Sequence, residues 1–293
     1  MFAQLFAVMA PVLAGAGVGY LWVRAKQAYP TDFVSKLTLN IGTPCLIVSS
    51  LAETRVDFAT FSVIAGATLL ALFTLAMLGL VMCRVRELDW KVFVPAMIFP
   101  NTGNMGLPIS LYAFGQVGFG YAVSILVVVS LIQFVFSVSI GSDRPLRALS
   151  RTPTIYAIAI SLLLMVFDLR LPSWLFNVTH LLAGFTIPLM LITLGVSLAS
   201  IRVGNLAGGL VFGAVRTLLV IPVCLAAGWI FGLNAANTAQ LLLQLCMPVA
   251  VYNYMFAQRA GRSPELVAGL VFSSTLLSLF YLPVILAVIF SLE

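Results

Sequence analysis

The chain has 293 residues, of which 62% are hydrophobic and 8% charged, with a mean hydropathy of +1.13 and a formal net charge of +6. That balance excludes an ordinary soluble domain, whose charged fraction runs near a quarter. The basic residues sit in short segments between apolar stretches, with no domain to carry them, so the positive charge is not a nucleic-acid footprint either.

In chain order, apolar stretches of spanning length, about 20 residues each, are predicted near 2–23, 32–52, 58–83, 90–113, 118–141, 153–168, 172–199, 205–231, 236–257 and 264–291. The stretch at 153–168 is short and is expected to run into its flanking loop. The first span lacks a basic leader and a cleavage site, so it is expected to be retained rather than removed as a signal. Ten spans place Arg24, Lys26, Lys36, Arg84, Arg86, Lys91, Arg144, Arg147, Arg151, Arg202, Arg259 and Arg262 on one side, and only Arg55 and Arg170 on the other. Lys and Arg in short loops mark the cytoplasmic face, which predicts an all-α polytopic membrane protein with both termini outside. Losing one span midway would scramble this asymmetry. Trp22, Trp90, Trp174 and Trp229 fall near span ends, as an aromatic belt requires. Cys45, Cys83, Cys224 and Cys246 show no CxxC pairing and no clustered His or acidic partners, so neither a metal, a disulfide nor a cofactor is expected.

The sequence also repeats itself. "LNIGTPCLIVSSLA" resembles "AGFTIPLMLITLGVSLA" when Pro44 is set on Pro188, and "IFPNTGNMGLPI" corresponds to "QLCMPVAVYNY" when Pro100 is set on Pro248. The offsets, 188 − 44 = 144 and 248 − 100 = 148, are nearly equal. Each unit holds five spans, an odd number, so the second enters the membrane from the opposite side. The expected organisation is two inverted five-helix repeats, residues 1–141 and 142–293.

Spans four and nine then carry breaks at matching places. Pro100 removes a donor and clashes with the preceding turn, and Gly103 lets the backbone leave helical geometry. Asn101, Thr102 and Asn104 can bond the released groups or a ligand. Pro248 does the same in span nine, with Gln244 before it and Tyr252 and Asn253 after it. Paired broken helices in inverted repeats point to the substrate site of a secondary transporter.

These segments carry a family resemblance. "FPNTGNMGLPISLYAFG" resembles the fourth-span motif of the auxin efflux carrier family, which includes plant PIN carriers and bacterial organic-acid carriers. "LNIGTPCLIVSSLA" is similar to its second span, and "MPVAVYNYMFAQRAGRSPELVAGLVFSSTLLSL" to its ninth and tenth. The resemblance implies a sodium/proton-antiporter-like, bile-acid-carrier-like fold with crossing helices four and nine. It implies a scaffold from spans 1, 2, 6 and 7, often a dimer interface, and a mobile transport domain from spans 3–5 and 8–10, working as an elevator. Asn101 stands where the family places its crossover asparagine. The long cytoplasmic loop of many plant members is absent between spans five and six, which favours a compact bacterial-type member of the inner membrane.

The remaining candidates concern charge. None of the nine acidic residues lies deep in a span. Arg216 lies about ten residues into span eight, roughly 15 Å from its end. An arginine at that depth costs at least about 2.5 kcal/mol and needs a partner. It either supplies positive potential to an anion or is satisfied by carbonyls at the helix breaks. Gln133 and Ser130 of span five could face the crossover, while Ser49 and Ser50 are weaker candidates on the scaffold side, and His180 reads as an interfacial residue. An enzyme is not expected: there is no Gly-x-Ser-x-Gly turn and no His-Glu-x-x-His helix. The sequence predicts a carrier of a small organic anion, a mono- or dicarboxylate or auxin-like acid, with a proton, sodium or no coupling ion. A cation-coupled antiporter, channel or receptor on the same fold is the alternative.

Overall fold

A computed structural model describes residues 2–54, 56–141, 152–200 and 206–292. Arg55, Arg144, Arg147, Arg151 and Arg202, counted in the charge pattern above, lie outside these residues. All named elements are helical: α1 (Phe2–Arg24), α2 (Thr31–Leu37), a first π turn (Thr38–Gly42), α3 (Thr43–Thr54), α4 (Phe58–Arg86), α5 (Trp90–Ile98), a second π turn (Thr102–Gly106) and α6 (Leu107–Gly141). They continue as α7 (Pro153–Val166), α8 (Ser173–Ala183), α9 (Thr186–Ser200), α10 (Leu206–Ile230), α11 (Ala235–Leu245), α12 (Val251–Ala260) and α13 (Pro264–Leu292).

Seven helical runs among the described residues are long and apolar enough to cross a membrane, α2 to α3 and α8 to α9 each counting as one. The outer surface fits that medium. Trp229 is 84% exposed, Leu181 76% and Phe280 72%, a coat that would aggregate in water but is a lipid contact in a bilayer. Every backbone group in hydrocarbon must be satisfied within the protein, which is why the chain spends its spans as helices.

Where helices break, proline is the local cause. The ring of Pro44 removes the amide that would bond the carbonyl of Asn40, four residues earlier, and the chain widens into the first π turn just before it. Pro188 stands similarly after the interruption between α8 and α9. The second half of the predicted fourth span and the whole of the fifth form one run, α6, bent at Gly115, whose φ of +63 is open to glycine at no steric cost.

Two close approaches fix the packing around the breaks. α1 crosses α9 so tightly that a Cβ at Gly195 would overlap the carbonyl oxygen of Ala16, and one at Gly19 that of Ile192. A larger apolar cluster joins α1, α4, α5, α10, α11 and α13, including Ile64, Leu75, Met97, Val220, Leu243 and Val271. A second, around Leu46, Ile47, Leu107, Val123 and Ile158, ties α3 to α6 and α7.

Candidate functional site

The site is built where two interrupted helices meet. Phe99 precedes Pro100 and is forced out of the α region, with φ −106 and ψ 93, so α5 stops and the chain crosses in non-helical form to Thr102. Around Pro248 the chain likewise leaves helical geometry between Leu245 and Val251. The groups freed by one break satisfy the other. The Asn101 amide donates to the Pro248 carbonyl (2.8 Å) and the Ala250 amide to the Phe99 carbonyl (3.1 Å), an antiparallel bridge between Pro100 and Val249. The Asn253 Nδ2 also donates to the Phe99 carbonyl (3.2 Å). From α13, Ser274 Oγ accepts the Val249 amide (3.1 Å) and the Tyr281 hydroxyl donates to the Cys246 carbonyl (2.7 Å).

Arg216 lies at the carbonyl ends of this crossing. Its Nε donates to the carbonyls of Ala96 (3.2 Å) and Met97 (3.1 Å), one Nη to Met247 (2.8 Å) and the other to Leu245 (3.1 Å). It is 1% exposed and is the only charged side chain buried among the described residues. A helix C-terminus carries about half a negative charge, so the ends of α5 and α11 together match one guanidinium. Of the two roles predicted for Arg216, these four bonds are the satisfaction by carbonyls.

The amide ends have no such counterweight among the described residues. The second π turn starts at Thr102 and α12 at Val251, each bringing about half a positive charge to the crossing. No carboxylate is buried among the described residues. Asn101, 4% exposed, has its side-chain Nδ2 buried without a partner, while its backbone carbonyl accepts the amides of Met105 (3.2 Å) and Gly106 (3.1 Å). Thr102 and Asn253 are buried beside it, and Asn104 and Tyr252 are half-buried.

The other predicted residues fall at varied distances from this centre. Gln244 is fully buried, but its Nε2 donates to Ser110 Oγ (2.7 Å), which donates in turn to Gln240 Oε1 (2.8 Å), so this amide ties α11 to α6. Its Oε1 has no partner and rests on Gly106, where a Cβ would overlap it. Ser130 and Gln133 are half-buried on α6, one and two turns past Leu126, the neighbour of Gly103. They precede Phe136, whose ring meets Phe99 at 5.5 Å. Sequence reasoning missed Ser110, Ser274 and Tyr281. Ser274 and Tyr281 stand seven residues apart on one face of an apolar helix, a spacing that would have marked them.

A cavity of about 460 Å³ opens beside the crossing, between α1, α3, α6, α8 and α9. Leu46, Leu111 and Leu191 line it, together with Ser49, Ser50, Glu53, Tyr112, Gln116 and His180. Asn101 is not on its wall. Met190, next to the lining residue Leu191, instead approaches Gly103. Glu53 and His180 face each other there, with 3.9 Å between Oε2 and Nδ1.

Buried broken helices exchanging backbone bonds inside a lipid-coated helical bundle define the class: a polytopic membrane protein with an internal polar crossing. The chain belongs to the membrane transport protein family, the auxin efflux carriers, whose model matches residues 4–143 and 143–286. It is 27% identical over 302 residues to an uncharacterized transporter of Methanothermobacter thermautotrophicus, covering 95% of each chain. It is 22% identical over 191 residues to an uncharacterized transporter of Methanocaldococcus jannaschii, covering 61% of this chain and 62% of that one. The family is one of membrane transporters and not of enzymes.

Proposed function

We propose that the protein is a secondary carrier of a small organic anion, bound at the crossing of its two interrupted helices. One observation carries this reading. Arg216 neutralises both carbonyl ends of the crossing, while both amide ends stay uncompensated beside the unpartnered Nδ2 of Asn101. Two ends at about half a charge each fit one carboxylate, and an amide donor is there to receive an oxygen. Thr102, Asn104, Tyr252 and Asn253 would line the seat, with Ser130 and Gln133 flanking it. Gln244 would hold the shape of the second π turn, and Arg216 would balance charge without touching the ligand. The neighbouring cavity would be the approach from one side.

The same reading includes ten spans in two inverted repeats. Its support is that each break meets its own counterpart. Gly42 lies against Thr186, and 42 + 144 = 186; Pro100 bridges the residue after Pro248, and 100 + 148 = 248. Contacts between equivalent positions are what a two-fold axis in the membrane plane would produce where it passes between the breaks. Spans 1, 2, 6 and 7 would form the scaffold and the face of a homodimer. Spans 3–5 and 8–10 would carry the site between the faces of a bacterial inner membrane, with both termini outside.

The test is a thermal-shift screen of detergent-purified protein against monocarboxylates, dicarboxylates, aromatic acids and amino acids. A ligand at 100 times its dissociation constant stabilises the folded state by about 2.7 kcal/mol. Carboxylates should raise the midpoint of the native chain and leave Asn101→Ala unmoved. An equal response in that variant removes the crossing from the site, and stabilisation by cationic solutes alone replaces the anion carrier with a cation-coupled antiporter.

A further inference from the structure

Threonine inside a helix ordinarily turns its hydroxyl back on the carbonyl four residues earlier. Thr54, Thr68, Thr74, Thr179, Thr217 and Thr275 all do so here. Thr38, Thr43 and Thr186 do not. Their residues are 6%, 5% and 0% exposed, and each Oγ1 is buried without a partner. The three occur at one place in the fold, remote in sequence from the crossing of Pro100 and Pro248. Thr38 opens the first π turn, Thr43 follows it and donates its amide to the Thr38 carbonyl, and the Thr186 hydroxyl rests on Gly42. A fourth threonine, Thr154 of α7, reaches the same turn and gives its hydroxyl to the Leu39 carbonyl (3.1 Å). That carbonyl, four residues before Thr43, is the one its hydroxyl would otherwise take.

A buried hydroxyl left unmatched is costly, and three around one widened turn mark a place where something is bound. The donor set says what. It consists of neutral hydroxyl oxygens and the second lone pairs of carbonyls that already accept one hydrogen bond, with no acid buried beside them among the described residues, so a divalent ion, which draws on carboxylates, does not fit. An anion would find no buried cation there. Hydroxyls combined with carbonyls at an unwound turn suit a monovalent cation. We infer that the first π turn and the start of α9 bind a sodium ion through the hydroxyls of Thr38, Thr43 and Thr186. Ile187 and Pro188, directly after Thr186, line the 460 Å³ cavity, as does Leu46, three residues after Thr43. An ion there sits in the cavity wall. Binding of the ion stands by itself; its role as the coupling ion rests on the carrier reading above.

The experiment compares thermal midpoints of the detergent-purified protein in sodium, potassium and choline chloride at equal ionic strength. The native chain should be stabilised by sodium in a saturable way, beyond choline. Thr186→Val and Thr43→Val, which keep shape and lose the hydroxyl, should weaken the sodium dependence tenfold or more, while Thr186→Ser retains it. Asn101→Ala should keep the sodium response in full, separating this site from the anion site. A native chain equally stable in the three salts, or valine variants with an unchanged sodium response, overturns the proposal and leaves the hydroxyls to bound water.

Discussion

At the scale of single residues, Arg216 separates what sequence can and cannot say. Its depth in an apolar span marked it as needing a partner, yet the partners are backbone carbonyls 120 and 31 positions away, which no side-chain pattern encodes. Asn101 was legible because its neighbours Pro100 and Gly103 announce the break by local chemistry alone. Gln244 was legible as a residue at the break, but its tie to Ser110 depends on how α11 lies on α6. Arg216→Met should destabilise the protein by about 3 kcal/mol or more, since four carbonyls lose a charged donor at once. Thermal unfolding in detergent measures this. Arg216→Lys should fall between, because an ammonium is a point charge without the guanidinium's fork. Native stability in both variants would mean the carbonyls find other donors.

At the scale of elements, helix existence followed from apolar length, and interruptions followed from proline where the flanking residues were polar. The interruptions near Pro44 and Pro188 were read as repeat anchors inside continuous spans, because only scattered polar residues such as Thr43 and Thr186 flank them and no cluster like Asn101–Asn104 marks a break. The contact of α1 with α9 has a sharper requirement. Substituting Gly195 by leucine would force two backbones apart where the structure has no room for a Cβ. The expected cost is about 1–3 kcal/mol or a shifted helix, seen as a lowered midpoint or loss of the monodisperse species on gel filtration. Leucine in place of Gly17, where a Cβ meets nothing within 4 Å, is the matched control and should be nearly neutral.

At the scale of the whole molecule, the charge pattern predicts orientation without any contact being known. The described basic residues Arg24, Arg84 and Arg86 close the last turns of α1 and α4, while Arg170 follows α7 at the other end of the bundle. A cysteine placed at Leu169, which is exposed, should react with an impermeant maleimide in intact cells. One at the exposed Gln27 should react only after the membrane is opened. The reverse pattern would invert the topology and with it the side on which the cavity opens.

The reciprocal backbone bonds at Pro100 and Val249 bear on affinity. Neither interrupted helix can slide without breaking the other's hydrogen bonds in a medium that offers no replacement, so under the carrier reading proposed above the crossing would travel as one rigid body. A site unaltered by such travel would have the same intrinsic affinity for its ligand at both faces. Equilibrium dissociation constants measured with the carrier cross-linked facing either side should therefore agree.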